Sequence, residues 1–550
     1  MGGLSSIGSK IRVPRTFKSL TVNDGEDSRW TNRDVLPVPE EQIRYDWKAY
    51  FGYWSAVGFN TTTWALGSSN LAAGLDAGGT MGGIFVGTVL AFFVAFVSGE
   101  AGLRYHLGFP MMSRATFGMY GSYFVIALKC FVNIVFFGYQ AYWGGLAINV
   151  MLGSIFTSFF HMKNTLPLSA AITTQELIGF VIYIVVFTSL MLIHPSRLQP
   201  LVYVSQIAVN VTMVSLFIWA MSVNHGADFL PPTKSVSQGT RVFLIIKAMS
   251  SVAGSWTGAS LRQSDWTRFT NSRRGVVLNQ SVTGIVAATI CALFGIATTS
   301  AVAHKYGTTI WNPITLLSWL QTNNYDSKTR AGTFFAGAGF FISQVTINLV
   351  QNSVACGMDL ASLAPRWIDV TRGSLIMCVI GYLIQPWRFI NDPGLFISVL
   401  VSFGMFVSPL AGINFVDFWV VRRLKWKIPD LYRGDKSSIY WYHFGLNWRA
   451  FLSWCMVVWP CMPGFIGAMG GAEVSIGWSR AFDLSWIIGF CGGSLVYYTL
   501  CLISPPPGAP YVSEYLDAYP GANASDGDVI SGVPQVTDVE TGKGSLSEKN

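Results

Sequence analysis

The sequence predicts an all-α polytopic membrane protein with about twelve transmembrane helices. Of its 550 residues, 51% are hydrophobic and only 12% are charged, and the mean hydropathy is +0.43, which soluble enzymes of this length rarely show. A helix that crosses the hydrocarbon core of a bilayer needs about 20 apolar residues. The chain contains about twelve such runs, and the first and sixth are interrupted by Gly, Ser, Thr or Asn.

The predicted spans follow one another along residues 49–505, between two polar ends. They lie near 50–74, 82–100, 119–152, 175–193, 199–222, 242–261, 276–302, 333–357, 373–386, 394–420, 450–469 and 485–504. A thirteenth apolar stretch near 309–321 is too short to cross a bilayer and contains Pro313, so we predict a surface helix there.

The distribution of positive charge sets the predicted orientation. Short cytoplasmic loops carry an excess of Lys and Arg, and here residues 1–48 and the loops after even-numbered spans are the basic ones. Both termini are therefore predicted to be cytoplasmic, in a multi-pass protein of the plasma membrane. The formal charge of +8 follows from this orientation, so we expect a lipid bilayer and no nucleic acid as partner. The tail, 506–550, is predicted to be disordered cytoplasm.

Residues 29–48 differ from the rest of the polar N-terminus, because Trp30 and other apolar residues lie among their charges. A disordered tail seldom carries such residues, so we expect this segment to dock on the cytoplasmic face of the bundle. The predicted ion pairs join Glu40 or Glu41 to Arg268 and Arg366.

The interruptions in the first and sixth spans are interpreted as irregular backbone. The first reads Gly58-Phe59-Asn60-Thr61-Thr62-Thr63-Trp64, and the sixth reads Ser250-Ser251-Val252-Ala253-Gly254-Ser255-Trp256-Thr257-Gly258. Irregular backbone at membrane depth survives only where it lines a cavity, because lipid satisfies no N–H or C=O group. Two such stretches at corresponding positions of two halves favour a transporter with a central binding site. The alternative is that these small residues only let helices pack closely.

Mostly polar side chains form one stripe on the third span and another on the eighth. The stripes are Lys129, Asn133, Phe136 and Gln140, and Gln344, Asn348, Asn352 and Asp359. Residues at these spacings share one helical face, and polar side chains inside a bilayer normally face the bundle interior or a pathway. Interhelical bonding explains any single amide equally well, but two parallel stripes favour a binding site.

A small planar solute fits this set of residues. Trp256 offers a ring for stacking, while Gln140 and Asn352 each offer a carbonyl acceptor and amide donors that match the edge of a cyclic amide or ureide. No cluster of charge points to an ionic substrate, so we predict an uncharged or weakly charged heterocycle. We predict no cofactor and no metal site, because the cysteines and histidines lack ligand spacing.

Other classes of membrane protein fit less well. A channel needs a continuous polar ring or filter, and an enzyme needs a nucleophile–base pair or metal ligands, whereas the six His residues lie scattered at loop positions. A nutrient-sensing receptor on the same fold stays open as an alternative.

A series of short motifs runs through most of the chain in a fixed order. They include Trp30-Thr31-Asn32-Arg33-Asp34, Gly58-Phe59-Asn60, Gly108-Phe109-Pro110, Gln140-Ala141-Tyr142, Ser264-Asp265-Trp266-Thr267-Arg268-Phe269, Asn352-Ser353, Gly357-Met358-Asp359-Leu360 and Gly445-Leu446-Asn447-Trp448-Arg449-Ala450. Together they resemble the nucleobase–cation symporter-1 family, in its fungal uracil/allantoin/uridine/thiamine permease branch. The resemblance implies a leucine-transporter-like fold, with inverted five-helix repeats at about 49–223 and 241–421 and two trailing helices within about 450–505.

The resemblance also implies roles for single residues. Relatives hold substrate through a Trp on span six, a Gln on span three and an Asn on span eight, and a lysine matched by Lys129 lies near their unwound span-one backbone. Sodium-coupled relatives use span-eight hydroxyls; Thr346 can supply one, but Ile347 cannot supply the next, which fits the proton coupling of the fungal branch. The predicted substrate-binding residues are Trp256, Gln140, Asn352, Phe136, Asn348 and Asn60, and the predicted cation- or proton-coupling residues are Lys129, Thr346 and Asp359.

The predicted function is a secondary active transporter that imports uracil, allantoin or a related nucleobase by proton symport and alternating access. Carriers of uracil or allantoin usually have Trp where this chain has Phe136, four residues before Gln140. Phe is smaller and lacks the indole donor, so a permease for a nucleoside or vitamin, such as uridine, thiamine or nicotinamide riboside, is the alternative. The sequence does not indicate the oligomeric state.

Overall fold

A computed structural model describes residues 30, 36–39, 43, 45–191, 199–229, 237–270, 272–364 and 367–508. Within these ranges the backbone is helical and contains no β-strand. Ten helices are long and apolar enough to cross a membrane. The remaining two predicted spans are present in shorter form, so the predicted all-α membrane fold is confirmed. From residue 509 onward, the predicted disordered tail lies outside the described residues.

The spans are numbered 1 to 12 in chain order. Span 1 comprises two 12-residue helices, Trp47–Gly58 and Thr61–Ala72, and span 9 is Val370–Leu383. The other spans are Ala77–Tyr105 (2), Gly121–Ile155 (3), Leu168–Leu190 (4), Leu201–Asn224 (5), Gln238–Thr267 (6), Arg273–Tyr306 (7), Ser327–Leu363 (8), Pro393–Val421 (10), Trp448–Ala468 (11) and Ser485–Ile503 (12). Two shorter helices, Phe109–Phe117 and Pro313–Asn323, follow spans 2 and 7.

Span 6 lies in the interior of the bundle and packs most extensively against spans 2 and 10. Glycines permit this close packing. A Cβ atom on Gly87 would lie 2.5 Å from the Met249 carbonyl oxygen, and one on Gly254 would lie 2.3 Å from the Leu400 carbonyl oxygen. These distances leave no room for a side chain, so the backbones of neighbouring spans touch directly, as small residues allow in membranes.

Span 5 shows the kind of surface that the bundle presents to lipid. Val204, Ile207, Val211 and Ile218 are each more than half exposed. Their spacing places them on one helical face. An apolar helix with its backbone hydrogen bonds satisfied internally is what contact with lipid requires.

The break predicted in span 6 is wrong in its position. The helix Gln238–Leu261 continues through Ser250–Gly258, and the backbone leaves the helix only at Arg262 and Gln263. The Ser255 hydroxyl in the predicted break donates to a carbonyl of its own helix at 2.8 Å. Close packing, the alternative explanation for these small residues, therefore applies to span 6.

The helix Pro313–Asn323 is not a surface helix as predicted. Ile314 and Leu317 are buried. The Gln321 side-chain amide donates to the Val150 carbonyl at 3.0 Å, at the end of span 3. This stretch is too short to cross the membrane, and its apolar face instead packs across the end of the bundle.

The described residues of the N-terminal segment contact the bundle at three places, one of which is a hydrogen bond from the Val38 amide to the His106 carbonyl at 3.2 Å. The Trp30 ring packs against Tyr120 and Tyr123 with centroid distances of 5.3 and 6.1 Å. The Arg114 guanidinium donates to the Trp30 carbonyl at 3.0 Å. Further along, the Tyr45 amide donates to the Phe269 carbonyl at 2.9 Å, next to Arg268. The ion pairs predicted for this segment involve Glu40, Glu41 and Arg366 besides Arg268. These three residues lie outside the described residues.

Candidate functional site

Span 1 is interrupted at Phe59 and Asn60, as its sequence predicts. Asn60 has extended backbone and caps the second half-helix by accepting a hydrogen bond from the Thr63 amide at 3.0 Å. Its side-chain amide also donates to the carbonyl of Val57 in the first half-helix. One side chain thus satisfies backbone groups on both sides of the break, where helix ends leave such groups without partners.

A cavity lies between this break and spans 3, 6 and 8. Five of the six predicted substrate-binding residues line it, and they come from four different spans. The five are Asn60, Phe136, Gln140, Trp256 and Asn352. The sixth, Asn348, lies behind the cavity wall and contacts Asn352.

The amides of spans 3 and 8 hold one another in place. Asn352 Nδ2 donates to Gln140 Oε1 at 2.9 Å and to Asn348 Oδ1 at 2.8 Å. Gln140 Nε2 donates to Thr62 Oγ1 in span 1 at 3.3 Å, and Asn348 Nδ2 donates to the Tyr183 hydroxyl at 3.0 Å. The chain of bonds fixes both cavity amides. It leaves the Asn352 carbonyl oxygen without a donor among the described residues, so this oxygen can accept from a ligand N–H.

Asn352 lies within a π-helical turn of span 8. The turn comprises Asn348–Ser353 and lies between two α-helical segments. A π-turn inserts one residue into a helix, and such turns recur at functional sites. Within this turn the side chains of Asn348 and Asn352 are in direct contact, and Gln351 lines the cavity.

Two aromatic side chains give the cavity its apolar surface. Trp256 is 6% exposed, and its ring lies 5.3 Å from the Phe92 ring. Phe136 packs 4.7 Å from the Phe403 ring. Both rings are supported from behind, so they can provide fixed faces against which a planar ligand stacks.

The predicted coupling residues lie outside the cavity lining. Lys129 and Asp359 are fully buried and form an ion pair with an Nζ–Oδ2 distance of 2.9 Å. Among the described residues the Lys129 ammonium group thus bonds to the Asp359 carboxylate of span 8, and not to the span-1 backbone near which the resemblance places it. The Thr346 hydroxyl donates to the Ile342 carbonyl of its own helix at 2.9 Å. Within the described ranges, no group of His, Cys, Asp and Glu could hold a metal ion.

Arg262 is a cavity residue that sequence reasoning did not single out. The apolar run of span 6 ends at 261, which places Arg262 at the start of the following loop. In the structure Arg262 is only 2% exposed and lines the cavity. Its Nη2 donates to the Gln351 carbonyl in the π-turn of span 8. A charge directly beside an apolar run was the available signal.

The chain is similar to known membrane permeases and transporters. A family model described as permease for cytosine/purines, uracil, thiamine, allantoin matches residues 37–489. The chain is 30% identical to the transporter aclS of Aspergillus oryzae over 538 residues, covering 88% of each protein. It is also 30% identical to the thiamine transporter of Saccharomyces cerevisiae, covering 91% of this chain and 84% of the relative. The uracil permease of the same yeast is 30% identical and matches 88% of this chain and 78% of its own length.

Solved structures give the same fold. The inward-facing conformation of Mhp1 superposes with a TM-score of 0.66 at 18% identity, covering 87% of this chain and 96% of that one. Mhp1 in a closed conformation with bromovinylhydantoin bound, a nucleobase-cation-symport-1 family transporter, gives a TM-score of 0.64 over 88% of this chain and 100% of that one. The likeness confirms the predicted leucine-transporter-like fold.

Proposed function

This chain belongs to the family of permeases for cytosine/purines, uracil, thiamine and allantoin, and from that premise we propose that it imports a small planar heterocycle by proton symport. The protein is a multi-pass membrane transporter and not an enzyme. In this proposal it acts in the plasma membrane with both termini in the cytoplasm. Import proceeds by alternating access between two repeats, at about 49–223 and 241–421.

The observation that carries the proposal is the pair of fixed amides beside two aromatic faces. The Asn352 carbonyl oxygen is open to a ring N–H, while Trp256 and Phe136 can hold the ring plane. A site built to hydrogen-bond such an edge rejects analogues that lack it, because its own polar groups are then left unpaired. Uracil, allantoin and uridine all carry an edge of this kind.

Proton coupling is supported by residues of span 8. Ile347 lines the cavity and offers no side-chain oxygen, whereas hard cations require oxygen ligands. The buried pair of Lys129 and Asp359 joins span 3 to span 8. Protonation of Asp359 would cancel its charge and release Lys129, which would link proton uptake to movement between these spans. A nutrient-sensing receptor on the same fold would need no such pair.

Uptake of radiolabelled solutes by yeast cells that lack their own permeases tests the proposal. The panel consists of uracil, allantoin, uridine, cytosine, thiamine and nicotinamide riboside, each measured at two external pH values. We expect uptake of at least one member, faster at the lower pH and abolished by a protonophore. Uptake that requires sodium and ignores the protonophore would contradict the coupling, and accumulation of no heterocycle by cells with the protein at their surface would contradict transport.

A further inference from the structure

Two of the residues that line the cavity carry buried hydrogen-bond donors without an acceptor. Arg262 is buried, yet its Nε and Nη1 groups contact no acceptor among the described residues. Asn133 also lines the cavity, and its Nδ2 group is likewise buried without a partner. Buried N–H groups in proteins are almost always hydrogen-bonded, so three such groups beside one cavity require an explanation.

Arg262 is the one charged side chain among the residues that line the cavity in the described part of the chain. The acidic residues of this region do not line it. Asp359 pairs with Lys129 at 2.9 Å, and Asp265 accepts a hydrogen bond from the Phe109 amide at 2.7 Å. Among the described residues Arg262 forms no ion pair, and its one acceptor is the Gln351 carbonyl. The one charged side chain in the described lining of the cavity is therefore positive.

We propose that Arg262 is a specificity-determining residue that selects heterocycles whose edge presents carbonyl oxygens or a carboxylate, and that it excludes cationic rings. The inference rests on the proposed function and narrows its substrate class. A guanidinium holds its N–H groups in one rigid plane and remains charged at every physiological pH. Carbonyl or carboxylate oxygens of a ligand satisfy the free donors of Arg262 and Asn133, whereas a ring cation meets the like charge of a buried guanidinium.

The inference divides the candidate substrates by their charge. Thiamine and nicotinamide riboside each contain a cationic ring, while uracil, allantoin and uridine are neutral and present carbonyl oxygens. Orotate adds a carboxylate to the uracil ring. The inferred substrate therefore belongs with uracil, allantoin, uridine or orotate, and not with the two cationic vitamins.

Two series of small probes isolate charge from ring shape. Nicotinamide, nicotinate and 1-methylnicotinamide are pyridines with charges of 0, −1 and +1, and uracil and orotate are pyrimidines with charges of 0 and −1. Binding of each probe to the full-length purified protein is measured by calorimetry, together with its inhibition of uptake. We expect the wild-type protein to bind nicotinamide or nicotinate at least tenfold more tightly than the cation 1-methylnicotinamide, and to bind both uracil and orotate.

Substitutions of Arg262 then test whether this residue is the cause. In Arg262→Gln we expect the neutral and anionic probes to lose tenfold or more in affinity, while 1-methylnicotinamide loses nothing or gains. Arg262→Lys keeps the charge and should continue to reject 1-methylnicotinamide, which keeps the test informative if Arg262→Gln folds poorly. Arg388→Gln is the control. Arg388 is exposed, lies outside the cavity lining and bonds to Gln385 and Ser169, so its replacement should change no affinity.

Two outcomes would overturn the inference while leaving the proposed function intact. One is binding of 1-methylnicotinamide by the wild-type protein as tight as that of nicotinamide. The other is an equal loss of affinity for every probe in Arg262→Gln, which would indicate a role in shaping the cavity alone. Binding and uptake of no heterocycle by the wild-type protein would contradict the proposed function itself, and the inference with it.

Discussion

The amide of Gln140 is held by its neighbours before any solute arrives. It accepts from Asn352 at 2.9 Å and donates to Thr62 at 3.3 Å. We expect Gln140→Ala to reduce uptake at least tenfold, because the substitution removes a possible ligand contact and frees Asn352 to reorient. Uptake kinetics at matched surface abundance provide the measurement.

The matched control is Gln321→Ala, which removes a buried amide bonded to Val150 and Ser154, outside the cavity lining. This control should lower the melting temperature and leave the KM unchanged. Normal uptake by Gln140→Ala, or an equal rise in KM in both variants, would show that the amide pair does not contact the solute.

The buried ion pair of Lys129 and Asp359 leads to a second prediction about single residues. Loss of one partner leaves an uncompensated buried charge, which destabilises a protein by about 3–5 kcal/mol. Lys129→Met and Asp359→Asn are each expected to lower thermal stability and abolish uptake. The double variant buries no charge, so we expect it to regain stability but to transport without dependence on external pH. If the double variant keeps the pH dependence of the wild type, the pair is structural only.

Some single-residue features were accessible from sequence and others were not. Gln140 and Asn352 stand out because amide side chains at regular helical spacing are unusual in apolar runs, whereas Trp256 was singled out as a ring for stacking and through the family resemblance. Which buried groups pair cannot be predicted in this way, because Lys129 and Asp359 are 230 residues apart. Arg262 escaped notice because the end of an apolar run does not mark where burial ends.

At the scale of helices, Asp76 joins the start of span 2 to the start of span 6. It caps span 2 by accepting from the Gly79 amide at 2.9 Å, and it forms an ion pair with Arg241 at 2.9 Å. The bond from Arg241 holds the pKa of Asp76 below its ordinary value of 3.8. A carboxyl group with a lowered folded-state pKa stabilises the protein above the unfolded-state value, and this contribution is lost as the pH falls through the folded-state pKa.

We therefore expect Asp76→Asn to lower the melting temperature by a constant amount between about pH 5 and 7, and by less below about pH 4. The loss is small because the Arg241 side chain is 48% exposed, and solvent screens an ion pair of this kind. Thermal unfolding in detergent at several pH values provides the measurement. Arg241→Gln should reproduce most of the effect, and a difference that is the same at pH 3 and pH 7 would refute the assignment.

The two interrupted spans show why sequence predicts some helix breaks and misplaces others. In span 1 the break contains Asn60, a residue that caps helices, and the structure places the break there. In span 6 Ser and Gly serve close packing, and the Ser255 hydroxyl is satisfied by a carbonyl of its own helix, which continues without interruption. The π-turn Asn348–Ser353 contains no glycine or proline that would mark it in the sequence.

For the whole molecule, apolar length predicted nearly all of the spans because the bilayer fixes how long a spanning helix must be. Ten helices meet that requirement outright. The sequence predicts the position of the N-terminal segment only in outline. Trp30 indicates docking, but its partners Arg114, Tyr120 and Tyr123 come together only when spans 2 and 3 and the helix between them have folded.

The docked Trp30 gives the last prediction, which concerns movement of the whole bundle. Its ring is 7% exposed between the start of span 3 and the helix Phe109–Phe117. Contacts that differ between inward-open and outward-open states shift the balance between them. We expect Trp30→Ala to change the rate of uptake or the range of accepted solutes at least twofold, with normal surface abundance.

Deleting residues 1–28 should have no such effect, because the deletion leaves Trp30 in place, whereas deleting 29–44 should act like Trp30→Ala. Trp459→Ala is the control, since that ring is 77% exposed on span 11 and its loss removes similar volume from the surface. Uptake is measured for the same six solutes in all variants, with quantified surface protein. Wild-type rates and selectivity in both Trp30→Ala and the longer deletion would mean that the docked segment does not influence alternating access, and that the buried contacts of Trp30 serve folding alone.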